Sequence, residues 1–244
     1  MAGFVGPEIP GVTDGLAAYF DAALTYTSGS TTWNSGVGNI TATLNNGPTF
    51  LNEYGGTLSY DGADDNCTIA HNDLSYNREN FTCEVWANYT ANHSNWEVST
   101  FSKWNTGGGT FNEWSIGVNN STGPSTFVFV CQSPQNTGGD NNKGDFPVSS
   151  TTNYSTNTWY HMVGTFDGAN STVKLYINGT LEGSRTDFND TEVKTVSSTR
   201  FWIGGFEVRQ TVLADIAVAK LYNKTLTSTE VSQNYKAFQK RFNL

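Results

Sequence analysis

Residues 171–183 read STVKLYINGTLEG, and this run decides the fold class. Val173, Leu175 and Ile177 alternate with Lys174 and Tyr176, the period of two that sends apolar side chains to one face of a strand. Asn178-Gly179 then supplies the dipeptide best suited to the two positive φ angles of a type I′ turn. The run is therefore a β-hairpin. Further out, FTCEVWAN from Phe81 places Phe81, Cys83, Val85 and Ala87 on one face and Thr82, Glu84 and Trp86 on the other, which predicts a strand with one face in a core.

The rest of the chain agrees. Its 244 residues include 27 Asn, 33 Thr, 21 Ser and 25 Gly, with 14% charged and 14% aromatic residues, which is poor material for long helices and good material for strands and turns. Strand-like runs also begin at Gly15, Thr57, Cys67, Glu113, Thr126, Thr158, Arg200 and Asp215. Roughly a dozen short strands with turn signals between them predict an all-β sandwich. One helix is expected over 227–242. There Thr227 and Glu230 form a capping box, and Val231, Tyr235, Phe238 and Phe242 make a stripe that needs an apolar partner. Residues 132–150 read as the longest loop.

Charge narrows the function. A net charge of −9 leaves no surplus of Lys and Arg to displace phosphate counterions or to hold an anionic membrane, which argues against nucleic-acid and membrane partners. No apolar run approaches the ~18 residues of a membrane span. The opening MAGFVGPEIPGV lacks the basic start and apolar stretch of a secretion signal. Cys67, Cys83 and Cys131 lie in apolar or alternating runs and are expected as buried free thiols, with a Cys67–Cys83 bridge as the alternative.

Seven runs, in order, resemble the laminin-G-like, concanavalin A-like jelly roll: GLAAYFDA (15–22), YDGADDNCTI (60–69), FTCEVWA (81–87), TWYHMVGTFDG (158–168), VKLYINGTLEG (173–183), FWIGG (201–205) and DIAVAKLYNKTLTSTEV (215–231). The resemblance implies two antiparallel sheets packed face to face, here with a short C-terminal helix. Residues 15–39 and 231–242 are also similar to members of this family carried as virion structural proteins by tailed phages of marine bacteria. That likeness implies a non-enzymatic protein on the virion surface, a capsid decoration or a fibre or tail appendage, assembled in the host cytoplasm without a signal peptide. Its expected partners are other virion proteins, held through an N-terminal arm (residues 1–12) and the C-terminal helix of the domain (residues 13–244). It would be present as a homo-oligomer or in repeated copies, with host surface glycans as a further partner. The alternative is a carbohydrate-binding lectin, calcium-dependent or calcium-free.

Three kinds of chemistry bear on these residues. Glycoside hydrolysis needs two carboxylates roughly 5–10 Å apart. No E-x-D-x-x-E run occurs and Glu84 stands alone on its strand, so no catalytic residues are assigned. Sugar binding needs an aromatic face ringed by amides. Trp96, Trp104 and Trp114, with Asn105 and Asn112, are the candidates, against the competing reading that strand tryptophans fill the core. Calcium needs several oxygens gathered at a rim. Asp65-Asn66 resembles the calcium-binding Asp-Asn pair of the related pentraxins, and the resemblance adds Glu207, one position out of register after Ile203-Gly204. The competing reading is an acidic turn closing a hairpin.

Overall fold

A computed structural model describes residues 10–93, 98–104, 113–119, 125–135, 145–196, 199–206 and 210–244. Among these, eighteen strands and one α-helix occur. In chain order they are β1 (Leu16–Asp21), β2 (Thr32–Asn34), β3 (Thr41–Asn45), β4 (Thr49–Leu51), β5 (Thr57–Asp61), β6 (Asn66–Ile69), β7 (Asn80–Tyr89), β8 (Val98–Lys103) and β9 (Trp114–Asn119). Then come β10 (Thr126–Gln132), β11 (Asp145–Asn153), β12 (Trp159–Asp167), β13 (Thr172–Ile177), β14 (Thr180–Arg185), β15 (Phe201–Ile203), β16 (Gly205–Phe206), β17 (Gln210–Thr211), β18 (Leu213–Tyr222) and α1 (Ser228–Phe238). The helix continues as a 3-10 turn, Gln239–Phe242.

The strands form two eight-stranded sheets and a β16–β17 ribbon. The first sheet runs β14-β13-β12-β7-β18-β5-β4, with β1 also on β18, and the second runs β11-β10-β9-β8-β15-β6-β3-β2. Every pairing is antiparallel. Strand β18 pairs with β7 along one edge, where its register shifts between Ile216 and Val218, and shares its other edge between two strands: Leu213–Ile216 pairs with β5, whereas Val218–Tyr222 pairs with β1. The expected hairpin is β13–β14, with Asn178 at φ 50° and Gly179 at φ 78°. Between the sheets lies the main core, where Phe81, Cys83 and Val85 of β7 face Phe101, Trp114, Ile116 and Phe129 of the second sheet. All three cysteines are buried and free, as expected.

Two expectations are corrected. Residues 145–150 are not loop but part of β11, whose Phe146 and Val148 enter the core. Its Ser/Thr-rich outer face and Pro147 masked the strand, and proline is tolerated there because β11 is a sheet edge. Strand β7 has both faces buried rather than one, for Thr82, Glu84 and Trp86 are each 0% exposed. The cover is α1, whose capping box forms as expected and whose Val231 and Phe238, together with Phe242 of the 3-10 turn, seal the outer face of the first sheet.

Under the helix lies a buried polar cluster. Glu84 Oε1 is 3.1 Å from Lys220 Nζ and 3.4 Å from His161 Nε2, and Asn234 Nδ2 donates to Glu84 Oε2 at 2.6 Å. The start of the domain joins it: Val12 N–H donates to Asn234 Oδ1 at 2.7 Å and Tyr222 hydroxyl donates to Val12 carbonyl at 3.1 Å. Val12, placed in the arm by the sequence reading, is therefore part of the folded unit. The helix likewise spends its apolar stripe on its own sheet, and only its polar side, with Ser228, Thr229, Gln233 and Lys236 exposed, is left for a partner. No helix among the described residues is long and apolar enough to cross a membrane.

Candidate functional site

The outer face of the second sheet is built by alternation. On β15, Phe201 and Ile203 enter the core, so Trp202 between them takes the opposite face, where it is half-buried. Register then sets one rung across the sheet: Thr32, Thr43, Thr68, Trp202, Ser102, Ser115, Val130 and Pro147 are successive cross-strand partners. A single aromatic ring thus stands in a row of hydroxyls. Beside it, Asn45 Nδ2 donates to Asn66 Oδ1 at 2.8 Å and to Thr68 Oγ1 at 3.2 Å, and Trp202 Nε1 donates to the Trp104 carbonyl at 2.9 Å. The face is closed over β8–β10, where Ser102 and Ser115 are fully buried, and opens toward β3, where Thr41 and Thr43 are exposed.

Of the predicted sugar-binding residues, Trp104 is half-buried at the end of β8, next to Trp202. Trp114 is not on the surface. It is 0% exposed in the core, 5.0 Å from Phe101 and 5.8 Å from Phe81 between ring centroids, because it shares the inward phase of β9 with Ile116 and Val118. Trp96, Asn105 and Asn112 lie outside the described residues. Trp202, Asn45 and Thr68 were missed. The signal for Trp202 was available in RFWIG, where a tryptophan between two core residues must face outward.

At the end of β6 nearest this face, the turn 61–66 is acidic. Carboxylate oxygens of Asp61, Asp64 and Asp65 lie within 4.8 Å of one another. Asp65 is 4% exposed and its Oδ2 accepts the Asp61 N–H at 3.1 Å. Burial pushes its carboxyl above the ordinary carboxylate range, the Asp61 N–H opposes that, and the neighbouring charges of Asp61 and Asp64 add to the rise. Crowded hard oxygens of this kind suit calcium. Of the expected calcium ligands, Asp65 belongs to this carboxylate group. Asn66 commits its amide to other partners, accepting from Asn45 and donating to the Asp64 carbonyl at 3.0 Å, because successive residues in an extended segment point to opposite faces. Asp61 and Asp64 are the other two carboxylates of the group, and Glu207 lies outside the described residues. The D-x-x-D-D spacing from Asp61 was the signal that the sequence reading did not use.

Two stacked antiparallel sheets with this strand order define a concanavalin A-like jelly roll. Residues 61–232 match the Laminin_G_3 model, described as the concanavalin A-like lectin/glucanases superfamily, and the chain belongs to that family. Among solved structures it is similar to domain 4 of AbnA, a GH43 extracellular arabinanase from Geobacillus stearothermophilus, in complex with arabinotriose (17% identity, TM-score 0.66, covering 90% of this chain and 98% of that one). It is also similar to the binding domain of Paraclostridial Mosquitocidal Protein 1 (14%, TM-score 0.67, 91% and 52%) and to the botulinum neurotoxin serotype G binding domain (16%, TM-score 0.64, 91% and 50%). The chain thus spans about half the length of those toxin domains. No curated protein matches it.

Proposed function

We propose that the domain binds carbohydrate and leaves it chemically unchanged, with Trp202 as the platform for the apolar side of a sugar ring and Asn45 and Thr68 holding hydroxyls beside it. The rung that surrounds one half-buried tryptophan with hydroxyl side chains carries this reading. The arabinanase domain solved with arabinotriose supports it. The two carboxylates deepest in the fold, Glu84 and Glu113, are each paired with a lysine and have no exposure to a substrate.

Replacing Trp202 with Ala is expected to weaken glycan binding on the order of 10–30-fold, the loss of one central aromatic anchor, and to leave thermal unfolding nearly unchanged. Trp114→Ala should do the reverse, costing about 3–5 kcal/mol of stability. Glycan-array binding followed by calorimetry and thermal melts checks both. Array silence for the wild-type protein rejects the proposal.

Calcium at Asp61, Asp64 and Asp65 would neutralise the crowded turn and stiffen the rim of the platform. At about 10 mM calcium, and for the millimolar to submillimolar affinity typical of extracellular sites, the melting temperature should rise by about 5 °C over that in chelator. The rise should vanish in Asp65→Asn. A melting curve indifferent to calcium removes the metal from the proposal.

The layout also favours the virion role. Pro10–Val12 and α1 sit on the outer face of the first sheet, whereas Trp202 is on the outer face of the second. A particle that holds the chain ends would turn the sugar platform outward, toward host glycans, with repeated copies multiplying weak contacts. Mass spectrometry of purified particles checks this: recovery in stoichiometric amounts supports display, and absence from particles overturns it.

A further inference from the structure

The tryptophan platform stands at one end of an open row. Trp33 and Ala42 enter the core, so Thr32 and Asn34 of β2 and Thr41, Thr43 and Asn45 of β3 point outward, where all five are at least partly exposed. From Trp202 the row passes Thr68, Thr43 and Thr32 in register, three strand-to-strand steps of about 4.8 Å, or about 14 Å in all. One such step is close to the advance of one ring along an extended saccharide, so the row is about three rings long.

The two ends of the row differ. Beyond Trp202 the outward residues of β8–β10, Ser102, Ser115, Val128 and Val130, are all buried, so the face is closed there. Beyond Thr32 the sheet stops, because β2 is its last strand. The Trp202 ring is held in place by the bond from its Nε1 to the Trp104 carbonyl, so little side-chain entropy remains to be lost when a sugar stacks on it. A saccharide lying along the row therefore places a terminal ring on Trp202 and leaves over β2.

The row has bonding capacity to spare and no charge. Thr41 Oγ1 donates to Asn34 Oδ1 at 3.0 Å, which leaves the Asn34 amide nitrogen with its donors unspent, and the Thr43 hydroxyl has no hydrogen-bond partner among the described residues. Thr68 Oγ1 accepts from Asn45 Nδ2 and keeps its own hydrogen to give. None of these outward side chains is a cation that could balance an acidic sugar. We propose that the row takes the end of a neutral, extended saccharide chain, with the terminal ring on Trp202 beside Thr68 and the next two over Thr43 and Thr32. This rests on the carbohydrate reading and adds to it the class of glycan and the part of it that is held.

The test titrates β-1,4-linked gluco-, xylo- and manno-oligosaccharides of one to six rings into the whole protein by calorimetry. In the ladder that binds, affinity is expected to rise at least about fivefold from one ring to three and to stay within about twofold from three to six. A soluble polysaccharide of the same repeat should compete chain for chain like the trimer, and a hexuronate trimer in chelator should bind at least about tenfold more weakly. Thr43→Val should cost the trimer about three- to tenfold, the worth of one hydrogen bond, and leave single-ring affinity and the melting temperature unchanged. Affinity that is flat in length, or untouched by Thr43→Val, overturns the row and leaves the platform standing. Competition that grows with the number of rings per chain overturns capture of an end, and equal binding of the hexuronate trimer overturns the neutral class. Silence of all three ladders overturns the extended chain, and silence of the glycan array as well overturns the carbohydrate reading with it.

Discussion

Lys220→Met is expected to destabilise the domain by about 3–5 kcal/mol, because it removes the cation from a carboxylate that is fully buried. Lys220 is held 3.1 Å from Glu84 and lies 4.6 Å from the centre of the Phe238 ring on the last turn of α1. Methionine keeps the packing and loses the charge, which leaves Glu84 with Asn234 as its close donor. The paired variant Glu84→Gln, Lys220→Met should recover most of the loss, since a buried ion pair is seldom worth more than a neutral replacement of similar volume. Urea unfolding of the single and double variants measures the coupling.

Acidification gives a second readout of the same cluster. Burial alone would raise the Glu84 carboxyl, but attraction to Lys220, aided by His161, outweighs it and holds the group down at about 2. A carboxyl lowered on folding adds stability that is fully present above its unfolded value of about 4.5 and is lost as pH falls from there toward 2. The wild-type protein should therefore weaken across that window. The deficit of Lys220→Met should narrow over the same range, because its Glu84 is readily protonated. A deficit that is constant from pH 7 to pH 3 would place the effect in packing instead of charge.

Gly204→Ala should cost about 3 kcal/mol or more, with two separable causes. Gly204 has φ +87°, a conformation that costs an L-residue roughly 1–2 kcal/mol. An added Cβ would also stand 2.1 and 2.2 Å from carbons of the Tyr60 ring, in a core where overpacking costs about 1–3 kcal/mol. Tyr60 cannot retreat easily, being 0% exposed with its hydroxyl 3.2 Å from Cys67 Sγ. Gly29 supplies the control: its φ is +82° and nothing lies within 4 Å of its Cβ position, so Gly29→Ala should cost the conformational part alone. Equal losses in the two variants, measured by denaturant unfolding, would disprove the steric account. Because Gly204 follows Trp202 by two residues, the substitution should also loosen the platform.

What the sequence alone determined follows from period-two patterning and turn chemistry, which act over a few residues and need no partner. The β13–β14 hairpin, the strand TFVFVCQ at its observed bounds, the capping box of α1 and the sandwich class were all legible on those grounds. Short strands rich in Thr, such as β2 and β3, and the edge strand β11 were not, because their outward residues look like loop and their inward ones are too few to make a pattern. The site depended on tertiary structure for a different reason. Whether a tryptophan stacks in the core or faces outward is a matter of strand phase: Trp114 shares the phase of its core neighbours, and Trp202 opposes its own. Asn45 reaches Thr68 through the pairing of β3 with β6, Thr68 reaches Trp202 through pairing between segments more than a hundred residues apart, and Glu84, Lys220 and Asn234 meet because the last helix folds back over the first sheet. Contacts set by cross-strand register and by the closure of long loops carry no local signature, which is why only the folded chain disclosed them.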